Sequence, residues 1–129
     1  MVKPEGNLTP VQHEIVEVLW NAGDAGATVS QIWEIIGQRR EVTRTTVLNL
    51  VDRLEKRGWL TRRKIEGQFH YFAAIDREAT AQRVATESLD DFFGGSASDL
   101  VLSLLGAKRL KPHDVERIRR LLNADLSDE

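Results

Sequence analysis

Apolar residues recur at helical spacing in six stretches of this chain and alternate along one more. The most informative stretch is VTRTTVLNLVDRLEKRG, from Val42 to Gly58. Val47, Leu50, Val51 and Leu54 fall at i, i+3, i+4 and i+7, so one stripe of a helix is expected to be buried. Thr43 is a suitable N-cap and Gly58 a suitable left-handed closing residue. The opposite face reads Arg44, Thr45, Asn49, Asp52, Arg53, Lys56, with short hydrogen-bonding side chains first and cations later. That order suits a helix whose N-terminal half meets base edges while its flanks hold phosphates.

Two helices are predicted ahead of it. Residues 1–7 read as a frayed arm. Thr9, Pro10 and Gln12 then form a strong helix start, with Thr9 as cap and Gln12 reaching back to it. Val11, Ile15, Val18 and Leu19 make the apolar stripe, Trp20 lies at the core edge, and Gly23 ends the helix. Ala27-Thr28-Val29 reads as a short extended piece leading to Ser30 as the next N-cap. The second helix, about Gln31 to Gln38, is expected to bury Ile32, Ile35 and Ile36, with Trp33 alongside.

After Gly58 the period changes to two. Trp59 to Ile65 and Gln68 to Ala74 can run as paired strands, and Glu66-Gly67 between them suits a tight hairpin turn. Arg62, Arg63 and Lys64 lie on the first strand, within reach of a backbone phosphate. Helix, short strand, helix, helix and hairpin, in that order, describe a winged helix-turn-helix.

Asp76 caps a long helix over Arg77 to Phe93 that Gly94-Gly95 stops. Ser96 caps a second, and Pro112 starts a third that runs to a polar end at Asp125 to Glu129. About 50 residues in three helices are too few to enclose a core of their own. Their stripes nevertheless carry Leu89, Phe92, Phe93, Leu100, Leu104, Leu105, Ile118 and Leu122, so a second copy of the same segment is the expected partner. The fold class expected is mainly α with a small β wing: a winged-helix DNA-binding domain over residues 1–75, then a helical dimerisation region over 76–129.

Composition narrows the chemistry. The 129 residues contain no Cys, which excludes a disulfide framework, a thiolate metal site and a cysteine nucleophile. The three histidines fall in separate elements with no metal or triad spacing, so neither an enzyme nor a cofactor or metal site is expected. His13 reads as an exposed helix residue, and His70 as a strand surface residue near phosphate. With no long apolar run, the chain is expected in the cytoplasm, without membrane insertion. Net charge is −2, but residues 39–64 hold nine cations against three anions, a local charge of +6 that leaves −8 on the rest. A positive face on an acidic frame suits an anionic polymer. The competing reading is a winged helix used for protein contacts, with the basic window serving an acidic partner.

The order of elements, together with LTPVQHEIVEVLW, VTRTTVLNLVDRLEKRGWL, GQFHYFAAI and FFGGSASDLVLSLL, resembles the penicillinase-repressor family of bacterial transcription regulators. The resemblance runs from Leu8 to about Leu126. It implies a homodimeric repressor in which each winged helix reads half of a pseudo-palindromic, double-stranded DNA operator and the C-terminal helices hold the dimer. Carried over by position, Thr45, Thr46, Leu48, Asn49 and Arg53 approach bases and phosphates. Leu48 stands where methicillin-responsive members have a base-reading arginine, which implies a different operator or contact with a thymine methyl. Gln68 replaces an arginine common at the wing turn. Penicillin-responsive members are cleaved between Asn and Phe in the helix after the double glycine, where this chain has Ser103-Leu104; a membrane sensor protease is the partner this implies. Copper-responsive members end in a cysteine cluster, which this chain lacks.

Overall fold

The computed structural model describes residues 4–127. Its elements run α1 (Pro10–Ala22), a 3₁₀ turn (Gly23–Ala25), α2 (Val29–Ile36), α3 (Arg44–Lys56), β1 (Leu60–Ile65), β2 (Gln68–Ala73), α4 (Arg77–Phe93), α5 (Ala97–Gly106) and α6 (Pro112–Ser127). Among the described residues the protein is thus mainly helical with a single β hairpin, a winged helix-turn-helix followed by three further helices. Two compact units divide between Ala81 and Gln82.

In the first unit, local chemistry sets each helix start. Thr9 Oγ1 accepts the Gln12 amide at 3.3 Å, and the Gln12 side chain accepts the Thr9 amide at 2.9 Å. This reciprocal box, with Pro10 in the first turn, launches α1. At α2 the cap is Thr28 rather than the expected Ser30. Gln31 stands three residues after Thr28 and closes the same kind of box, with bonds of 2.9 and 3.2 Å. Ser30 has Trp33 at that position, which returns no hydrogen bond. Helix α2 therefore starts at Val29, and Ser30 Oγ instead accepts from Arg44 Nε at 3.0 Å.

Ile35 corrects a second expectation: it is 41% exposed, whereas Ile32 and Ile36 are buried. Val29, Ile32 and Ile36 share one stripe, and Ile35 is turned about 100° from Ile36. Trp33 is also partly exposed, and its indole N–H donates to the Val42 carbonyl at 2.9 Å, bracing the turn between α2 and α3.

The core gathers Ile15, Val16 and Leu19 of α1, Ile32 and Ile36 of α2, and Val47, Val51 and Leu54 of α3, with Trp59, Leu60 and Tyr71 from the wing base. Helix α3 ends as expected at Gly58, φ +84. The Trp59 amide donates to Leu54 O at 2.9 Å and the Gly58 amide to Glu55 O at 3.0 Å. This double closure turns the chain directly into the hairpin and seats Trp59 over Leu54 in the core.

Strands β1 and β2 pair antiparallel, in register from Leu60↔Ala73 to Ile65↔Gln68. Glu66 (φ +50) and Gly67 (φ +82) make the turn between them, both positive as the right-handed strand twist favours in a two-residue loop. Ala27 adds a single bridge to Tyr71, with N–H···O distances of 3.0 and 2.8 Å. The base of the hairpin is therefore tied to the segment before α2.

The described part of the N-terminal arm, residues 4–7, is not frayed; Met1 to Lys3 lie outside the described residues. Pro4 is buried. The Glu5 amide donates to Arg57 O at 2.9 Å, and Glu5 O accepts from Arg57 Nε at 2.9 Å and Trp59 Nε1 at 3.1 Å. Asn7 O accepts from Arg57 Nη2 at 2.7 Å. A backbone with such partners is fixed, although its sequence carries no periodic signal.

The start of α4 also belongs to the first unit. Asp76 Oδ1 caps it by accepting the Ala79 amide at 2.7 Å, and Thr80 is buried. Arg77 donates to Asn21 Oδ1 at 3.0 Å with its guanidinium 4.9 Å from the Trp20 ring, while Trp20 Nε1 donates to Ile75 O at 2.8 Å.

In the second unit, Gly94 (φ +55) and Gly95 (φ +80) terminate α4, and Ser96 Oγ accepts the Asp99 amide at 3.2 Å to start α5. Asp114 accepts the Lys111 amide at 3.1 Å ahead of α6. Asp128 and Glu129 of the expected polar end lie outside the described residues. No side chain of α5, and none described in α6, is buried. No helix among the described residues is long and apolar enough to cross a membrane.

Candidate nucleic-acid interface

Helix geometry sorts α3 into two faces. Val47, Val51 and Leu54 are wholly buried, which leaves Thr45, Leu48, Asn49, Asp52, Arg53 and Lys56 on the far side, all exposed. Those positions fall at i, i+3, i+4, i+7, i+8 and i+11, a continuous stripe. Thirteen residues at 1.5 Å rise make a rod about 20 Å long, and its diameter matches the roughly 12 Å major groove of B-DNA.

Within that stripe, Thr45, Leu48, Asn49 and Arg53 have no side-chain hydrogen bond or ion pair among the described residues, so their polar groups and the Leu48 methyls are available to a ligand. Leu48 is 40% exposed. Thr46 is placed differently. Its amide donates to Thr43 Oγ1 at 3.1 Å and its hydroxyl accepts from Thr43 at 2.9 Å, so it belongs to the helix cap as much as to the open face. Arg44 is held by Ser30 at the front of α3.

The basic window is less uniform than its composition. Arg40 pairs with Glu14, Lys56 with Asp52 at 3.0 Å and Arg62 with Glu55 at 3.2 Å. Arg57 is committed to the Glu5 and Asn7 carbonyls and to Gln12. That leaves Arg39, Arg44, Arg53, Arg63 and Lys64 without a carboxylate partner among the described residues. The free positive charge therefore lies at the turn into α3, along α3 and on the wing.

The wing orders its cations by stacking them. The Arg62 guanidinium lies 4.3 Å from the Phe69 ring centroid, Lys64 Nζ is 5.7 Å from the same ring, and Arg63 lies 4.4 Å from the Phe72 ring. Cation–π contacts of this exposed kind contribute about 0.5–1 kcal/mol each. They leave the N–H edges of Arg63 and Lys64 free to donate to an anion, whereas Arg62 Nε faces Glu55. In the pairing register Arg63 stands opposite His70, which is half-buried, with Nδ1 shielded from solvent and without a hydrogen-bond partner among the described residues. His70 is thus a less open surface residue than the strand alternation suggests.

Of the residues expected at the interface, Arg44, Thr45, Thr46, Leu48, Asn49 and Arg53 lie on α3, and Arg62, Arg63 and Lys64 lie on β1. Sequence reasoning did not detect the commitment of Arg57 to the arm or the pairing of Arg62 with Glu55. Arg57's partners lie 45 to 52 positions away in sequence, and Glu55 and Arg62 lie on different elements that the turn at Gly58 brings together. The second unit carries its own exposed apolar residues. Phe92 is 81% exposed, and Leu104, Leu105, Ile118 and Leu122 are exposed as well, while Leu89, Phe93 and Leu100 are half-buried.

Comparison with known proteins agrees with this architecture. The methicillin resistance regulatory protein MecI of Mammaliicoccus sciuri is 23% identical over 116 residues, covering 90% of this chain and 93% of MecI. A Staphylococcus aureus penicillinase repressor is 24% identical over 123 residues, covering 95% and 96%. A mutant of S. aureus MepR shares the fold at 18% identity and a TM-score of 0.50, covering 94% of this chain and 80% of that one. The profile of the penicillinase repressor family matches residues 8–124, and the chain belongs to that family.

Proposed function

We propose that the protein is a homodimeric, sequence-specific DNA-binding repressor that reads a pseudo-palindromic operator. Helix α3 enters the major groove, and the wing sets Arg63 and Lys64 against the sugar-phosphate backbone. The residues after Asp76 hold the two copies together. The observation that carries this reading is the open stripe of α3, where Thr45, Leu48, Asn49 and Arg53 stand exposed and, among the described residues, without a side-chain partner, between two groups of cations that lack a carboxylate partner there. Asn49 offers the bidentate donor and acceptor pair that suits adenine, and Leu48 offers methyls to a thymine.

Selection of bound duplexes from a random pool tests it. The reading expects an enriched sequence with two related half-sites spaced by whole helical turns. Asn49→Ala should then lower affinity for the enriched duplex by about 1–3 kcal/mol and relax preference at one base pair, while random duplex is bound as before. A pool that never enriches, or affinity independent of salt, would favour a protein-interaction module instead.

Family membership makes a membrane sensor protease a candidate partner acting at Ser103-Leu104. That bond lies inside α5, so cleavage requires the helix to unwind locally. Exposure of the intact repressor to such a protease, followed by mass measurement of the fragments, decides whether this bond is the one cut.

A further inference from the structure

The outer part of the wing has almost nothing to hold it. Leu60 is buried at its base, but every residue from Thr61 to Phe69 is exposed. A two-stranded hairpin is marginal by itself, and beyond the base, which the Ala27 bridge and the buried Leu60 and Tyr71 hold, the set of the outer wing depends on the side chains that reach it. From α3 the ion pair that reaches it is Glu55 to Arg62. The Glu55 carboxylate, on the last turn of the helix, lies 3.2 Å from Arg62 Nε, and its side chain is only 24% exposed against 45% for Arg62. The oxygen facing Arg62 is shielded from water and accepts no hydrogen bond among the described residues, so the contact is an ion pair at close range. The Arg62 guanidinium lies in turn over Phe69 at 4.3 Å, and Lys64 shares that ring. One carboxylate on the recognition helix is thus linked, through one guanidinium, to the stack that carries the wing's cations.

Charge alone gives Glu55 no reason to help bind DNA. It is an anion inside a cationic window, and a negative side chain near a helix C-terminus also opposes the helix dipole. We infer that Glu55 is a positioning residue: through Arg62 and Phe69 it fixes the angle of the wing to α3, so that base contacts and backbone contacts are made together. This rests on the proposed DNA reading for its consequence, though not for its geometry.

The two roles predict opposite results for Glu55→Gln. Without positioning, removing an anion strengthens binding to any duplex and leaves the ratio of selected to random duplex unchanged. With positioning, random duplex is bound as well or better while the selected duplex loses affinity. The ratio then falls by roughly two-fold to a hundred-fold, the range that coupling between contacting residues spans. The exchanged pair Glu55→Arg with Arg62→Glu should recover part of that ratio, which a purely electrostatic role does not allow.

A measurement on the free protein keeps the brace testable whatever the DNA result. The ring current of Phe69 should shift the side-chain proton resonances of Arg62, and Glu55→Gln should move them toward random-coil values while the far-ultraviolet dichroism is unchanged. Unaltered Arg62 resonances in Glu55→Gln, or an unaltered selected-to-random ratio, would overturn the inference. Failure of the wild-type protein to bind any duplex would sink the proposed function and leave the brace to be judged by its resonances.

Discussion

At Gly26 the chain takes φ +63, and a Cβ built there would come within 2.6 Å of Phe72 Cε1 and 2.7 Å of Tyr71 O. The close approach is what lets Ala27 bridge to Tyr71. Gly26→Ala should cost at least about 1–3 kcal/mol, as overpacking of a fitted site does, with left-handed strain added; urea unfolding measures it. Glu66 poses the opposite case, a non-glycine residue at φ +50 in the wing turn. Glu66→Asn places a residue that tolerates this conformation beside Gly67 and removes an anion from the wing tip. It should raise stability by up to about 1 kcal/mol in thermal unfolding and tighten duplex binding in the same preparation. Neither demand can be seen in single residues of the sequence. Glu66-Gly67 is legible as a turn, but Gly26 reads only as a loop glycine because the ring it faces is some 46 positions away. Thr28 against Ser30 was decidable, since only Thr28 has a glutamine three residues on.

Two arginines of the same basic window separate stability from binding at the level of elements. Arg57, at the end of α3, donates to two arm carbonyls and to Gln12; Arg63, on β1, is stacked on Phe72 with no carboxylate partner. Arg57→Ala should destabilise the fold by about 1–3 kcal/mol, leaving arm carbonyls unmatched, and change the salt dependence of binding little. Arg63→Ala should leave stability nearly unchanged and reduce the slope of log affinity against log salt by about 1. Chemical unfolding and duplex titration on the same two variants check both halves. Element boundaries were readable where a cap, a glycine or a change of period marked them, as at Thr9, Thr43, Asp76 and Ser96. The long-range ties were not. The arm's attachment to α3, the outward turn of Ile35 and the Glu55–Arg62 pair each depend on what the fold brings near, and hydrophobic periodicity says nothing about polar partners.

For the molecule as a whole, the C-terminal helices set the question of assembly. Phe92, Leu102 and Leu121 are each at least 60% exposed in the single chain, and apolar side chains recur along α5 and α6. Burial against a second copy would remove them from water at about 25 cal/mol per Å². Sedimentation equilibrium in the micromolar range should therefore give twice the 14.6 kDa chain mass, and Leu105→Asp should shift it toward the chain mass while the first unit stays folded. The surplus apolar stripes of these helices were legible in the sequence, whereas which residues stand most open was not.

The central claim is that the exposed stripe of α3 lies in duplex DNA. The most direct test is the affinity of the wild-type protein and of Arg53→Ala for a selected duplex, titrated between about 50 and 200 mM salt. Affinity should fall linearly on logarithmic axes by a factor of 10 or more over that span, and Arg53→Ala should bind more weakly at every salt while unfolding at the wild-type temperature. No binding at the lowest salt, or an Arg53→Ala curve superimposed on the wild type, would contradict it.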